Sequence, residues 1–143
     1  MAAHYESKHG TVAVTPEQLY MSFTDLRNLT QSLPPQYQDS VTADFDTLKA
    51  TVQGFTVAVR VAERTPYSRI RIEDEQAPFH FSVTAHFDPA EGGTDFSLEV
   101  DADINLMMKA LLGGKIQEAL NKAVDTLVDV SHGKRPEFPS DLG

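Results

Sequence analysis

From Val41 to Ile104 an apolar side chain recurs at nearly every second position, which is the period of strands with one buried face. So long a run commits the middle of the chain to a sheet. Val41, Ala43 and Phe45 mark a short strand, and Asp46-Thr47 turns it into Leu48, Ala50 and Val52. After Gly54 a long strand carries Phe55, Val57, Val59 and Val61 on one face, and Thr65-Pro66 breaks it. Ile70 and Ile72 follow, and then Phe79, Phe81, Val83, Ala85 and Phe87. The turn formers Asp88 to Gly93 join that strand to Phe96, Leu98, Val100, Ala102 and Ile104. Setting Phe87 opposite Phe96 keeps both apolar sets on one side, and a one-residue slip would expose one of them. The same parity places Arg60, Arg64, Arg69 and Arg71 together on the outward face.

Helical signals flank the sheet. Thr15-Pro16-Glu17-Gln18 has an N-cap threonine, proline at the first helical position and glutamine three residues after the cap. A second short helix is predicted from Asp25 to Ser32, stopped by Pro34-Pro35. From Asn105 to Val130 the period changes to about 3.6, with Met108, Leu112, Ile116, Leu120, Ala123 and Leu127 on one stripe. Gly113-Gly114 interrupts this helix at a cost of about 1 kcal/mol per glycine. Three reasons fit: a bend or flexible gate with Met107, Met108, Leu111 and Leu112 as its lip, close backbone approach to the sheet, or a helix that simply begins there. Ahead of all this, Tyr5 and His9 reach the inner face if the first strand has a bulge at Gly10.

Several classes of function are excluded by composition. With no cysteine, thiolate metal sites, disulfides and cysteine nucleophiles are ruled out. A formal charge of −9 repels phosphate backbones, so no nucleic acid and no anionic membrane is expected as a partner. MAAHYESKHG lacks an apolar leader and no stretch is long enough to span a membrane, so a cytoplasmic protein is expected. On the hairpin's outward face the same register sets His80 opposite Asp103, Ser82 opposite Asp101 and His86 opposite Ser97, with Asp95 and Glu99 diagonal; this reads as a solvated surface, and no metal and no cofactor are expected.

The strand-TPEQLYMSFTDLRN start, the meander VQGFTVAVRVAERTPYSRIRI and the strand-to-helix end DFSLEVDADINLMMKALLGGKIQEALNKAVDTLVDV together resemble the helix-grip fold. That is the fold of the START and Bet v 1-like plant-allergen superfamily (SRPBCC), which also holds polyketide cyclases and Hsp90 activators. The chain is similar to its small bacterial members. The resemblance implies an α+β domain over residues 1–131: a curved seven-stranded antiparallel sheet, two short helices and a long C-terminal helix. Residues 132–143 form a polar tail. It further implies binding of a small hydrophobic ligand, lipid or polyketide-like, between the sheet and the last helix. The candidate lining comes from the inward strand positions Phe55, Val57, Val59, Ile70, Ile72, Phe79, Phe81, Val83, Phe96, Leu98 and Val100. Met108, Leu112 and Ile116 add the helix side, and Tyr5 and His9 supply polar handles. A filled core serving a protein partner, as in the Hsp90 activators, and a cyclase or hydratase using the same cavity remain open. No catalytic residue stands out.

Overall fold

A computed structural model describes residues 2–31, 39–52 and 54–133. Its elements are β1 (Ala2–Glu6), β2 (Gly10–Val12), α1 (Pro16–Thr24), α2 (Arg27–Gln31), β3 (Val41–Ala43), β4 (Thr47–Val52), β5 (Phe55–Thr65), β6 (Arg69–Gln76), β7 (Phe81–Ala90), β8 (Gly93–Asp103) and α3 (Leu106–Ser131). β3 to β8 are consecutive antiparallel neighbours, and β1 and β2 both pair with β8. The sheet is curved, and the helices cover one of its faces. Pro34, Pro35 and the tail beyond Gly133 lie outside the described residues.

The expected signal at α1 is present: Thr15 and Gln18 form a reciprocal capping box. At α3 the structure adds a cap of its own, the Asn105 side chain accepting from the Met108 N–H at 2.8 Å. In the hairpin, Phe87 faces Phe96 and Val83 faces Val100, the register set by matching parity. Phe79 lies ahead of β7.

Three local departures have physical causes. The first strand is split in two, because Glu6 faces Glu99 while Gly10 faces Phe96, so four steps along it match three along β8. The extra residue lies within Ser7–His9, upstream of Gly10, which keeps Tyr5 and Val12 inward and turns His9 outward. At the β3–β4 turn the Asp44 carboxylate accepts from the Asp46 and Thr47 N–H groups at 2.9 and 2.7 Å. This side-chain turn ends β3 early, and Phe45 leaves the inner face, 43% exposed. Finally, β5 is bulged between Val61 and Glu63, so Arg64 pairs with inward Ile70 and not with the outward arginines. Arg64 then donates to the Thr24 Oγ1 and carbonyl, the Phe45 carbonyl and Asp46, and stacks over the Phe45 ring. One guanidinium thus ties the end of α1 and the β3–β4 turn to β5.

Two apolar clusters fill the space between helices and sheet. One joins Leu19 and Tyr20 of α1, Phe87 and Phe96 of the hairpin, and Val124 of α3. The other joins Ala3, Val100, Ala102, Ile104 and Leu120. α3 lies close against β2, since a Cβ on Gly10 would come within 2.7 Å of Val128 Cγ2 and 2.9 Å of Val124 Cγ1. Only glycine permits that approach.

Candidate functional site

The register aligns Val61, Ile72, Val83, Val100 and Tyr5 in one row across five strands of the inner face. The two ends of this face differ. At the α1 end Ile70 and Phe96 are packed shut, and the Phe23, Phe87 and Phe96 rings lie 5.7 to 5.9 Å apart. At the other end Val57, Val59, Phe81 and Val83 are half-buried, and so are Met108, Leu112 and Ile116 above the sheet. Ile72, Phe79 and Leu98 are half-buried and pack against the clusters, while Val100 is a core residue. The side chain of Phe55 lies outside the described residues.

Tyr5 rises from this floor towards the helix. Its hydroxyl is buried and has no hydrogen-bond partner among the described residues. A Cβ on Gly113 would stand 3.0 Å from that oxygen, whereas one on Gly114 would meet nothing within 4 Å. Gly113 therefore leaves room for the Tyr5 phenol. The first turns of α3 expose Leu106, Met107 and Leu111 by 66 to 73%, beside this half-open end. His9 is not part of the inner face: it is a surface residue whose Nδ1 lies 3.0 Å from Asp95 Oδ1.

No protein-family model matches the chain, and no curated protein matches its sequence. Solved structures do match. Norcoclaurine synthase from Thalictrum flavum, in complex with dopamine and hydroxybenzaldehyde, superposes with a TM-score of 0.71 at 10% identity, over 96% of this chain and 90% of that one. A protein from Rhodobacter sphaeroides gives 0.63 at 20% identity, over 87% and 89%. Ara h 8.0201 gives 0.55 at 14%, over 90% and 98%. This is the Bet v 1-like helix-grip fold. Among the described residues of this helix-grip chain, no helix is long and apolar enough to cross a membrane.

Where the helix-grip sheet loses its β6–β7 ladder, Asp74 takes over. Its carboxylate accepts from the Phe81 N–H at 2.8 Å and sits 2.9 Å from His80 Nδ1. The Phe81 N–H and then His80 hold the Asp74 carboxyl below its ordinary range, and Asp74 raises His80 above the usual imidazole value. This contact positions Phe81 at the half-open end. Parity marks the inward apolar strand positions, and a bulge in the first strand is the condition for an inward Tyr5, which faces Val100; Asp74 has no such mark, because nothing in a linear pattern shows where a ladder stops.

Proposed function

We propose that this helix-grip protein binds one small apolar or amphipathic molecule, lipid or polyketide-like, between the half-open end of its sheet and α3. The observation that carries the reading is the unpartnered Tyr5 hydroxyl in an otherwise hydrocarbon wall. Leaving such a group unsatisfied costs about 1–3 kcal/mol, which a ligand oxygen or nitrogen would recover. Burial of the ligand's apolar surface adds roughly 25 cal/mol per Å². Met107, Met108, Leu111 and Leu112 make an adaptable lip at the entrance. The norcoclaurine synthase complex, whose aromatic ligands join a ring to polar groups, supports this use of the fold. Cytoplasmic location, a single domain over residues 1–131 and binding of the small molecule without a cofactor belong to the same proposal.

Native mass spectrometry of the purified chain is expected to reveal a retained small molecule. Nile red provides a second probe, and its neutrality avoids repulsion by the acidic exterior. It is expected to bind saturably, with Phe81→Ala and Leu98→Ala each altering its affinity by at least threefold. If both substitutions leave dye and retained molecule bound as before, the site is misplaced.

A further inference from the structure

The outer face of the sheet carries a second constellation, distant in role from the ligand wall. His4 and Glu6 stand two residues apart on β1, directly opposite Asp101 and Glu99 on β8. His4 Nε2 lies 3.5 Å from Glu99 Oε2 and 3.9 Å from Glu6 Oε1, and one donor atom from each of the three falls within 4.8 Å of the others. A tetrahedral shell with bonds of about 2.0–2.1 Å sets its ligand atoms roughly 3.3 Å apart, so small side-chain rotations bring these three onto one ion. Glu6 directly facing Glu99 is a repulsive cross-strand pair that a dication between them would relieve.

The surrounding groups already have the orientation a metal needs. His4 Nδ1 is 2.7 Å from Asp101 Oδ1, and donation along that contact leaves Nε2 as the free lone pair. On the far side His86 Nε2 bonds Glu99 Oε1, which leaves Oε2 turned towards His4. Ser82 and Thr84, the β7 residues beside Asp101 and Glu99, are short and buried beneath their longer neighbours. We propose that His4, Glu6 and Glu99 bind one Zn²⁺-class cation, with water in the remaining position and with Asp101 and His86 orienting the ligands. One imidazole and two carboxylates suit a borderline dication better than Mg²⁺, which favours oxygen-only shells and retains its waters.

Calorimetric titration of the untagged full chain with zinc chloride tests this. One saturable site per chain is expected. His4→Gln and Glu99→Gln should each weaken it by at least tenfold and Asp101→Asn by about tenfold, while His80→Gln, on a histidine–carboxylate pair elsewhere, should leave it unchanged. In the wild type, zinc is expected to shift the imidazole proton resonances of His4 and His86 at the same midpoint, and to leave those of His80 and His132 in place. This readout does not depend on how a variant folds. Absence of a saturable site overturns the proposal, as does movement of His80 or His132 in place of His4, or equal loss of affinity in His4→Gln and His80→Gln.

Discussion

Gly113 and Gly114 are neighbours with opposite surroundings, and they show how much a single Cβ can decide. Replacing glycine by alanine inside a helix is worth about 1 kcal/mol. Gly114→Ala meets nothing and is expected to gain that amount in denaturant unfolding. Gly113→Ala must press on the Tyr5 oxygen at 3.0 Å, so its gain is expected to vanish or reverse. Tyr5→Phe removes that oxygen, and in its background Gly113→Ala should recover most of the lost stability; a double-mutant cycle measures the coupling. In the sequence alone a lip, close approach and a helix that begins there are rival reasons for the two glycines; the helix in fact begins at Leu106. The structure assigns close approach to Gly113 alone.

At the scale of elements, caps and clamps hold pieces that burial alone would leave loose. Asn105 supplies the side-chain acceptor at the start of α3, and Asn105→Ala is expected to lower unfolding free energy by about 1 kcal/mol. Arg64 matters more. It bonds Thr24, Phe45 and Asp46 together, so Arg64→Ala takes that donor from two backbone carbonyls, of which Phe45 keeps the Leu26 N–H, and is expected to cost about 2 kcal/mol. Arg64→Lys should recover only part of this, since an ammonium lacks the planar fork. Thermal melting of the three proteins separates charge from geometry. The bulge that turns Arg64 inward has no mark in the linear pattern, because it depends on how β5 must bend to stay paired with β6.

Across the whole molecule the acidic balance and the paired histidines make stability depend on pH. Asp74 has a lowered carboxyl pKa, so its contribution is full above the ordinary aspartate value and is lost as pH falls through the depressed one. His80 is raised, by Asp74 and to a lesser degree by Asp103, so its contribution is full below the ordinary imidazole value and disappears as pH rises through the raised one. The pair is therefore strongest in mildly acidic solution, between these two limits. Melting temperature followed against pH should show that maximum, and His80→Gln should flatten its alkaline side without moving the acid limb to the same extent. A wild-type curve with no alkaline fall assignable to His80 would contradict the assignment.

Local and periodic information was enough for most of the architecture. Alternation fixed which hairpin residues face inward, since a slip would expose Phe87 or Phe96; the capping residues fixed where α1 begins; and the change of period announced the long helix. What alternation cannot express is an inserted residue or a neighbour far along the chain. The bulge before Gly10 sent His9 to the surface, and a side-chain turn at Asp44 ended β3 before Phe45. Only the placement of β1 beside β8 brought His4 and Glu6 against Glu99 and Asp101. Burial patterns are written residue by residue because each apolar side chain answers to water on its own, whereas sites are made by contacts between strands that meet only when the sheet closes.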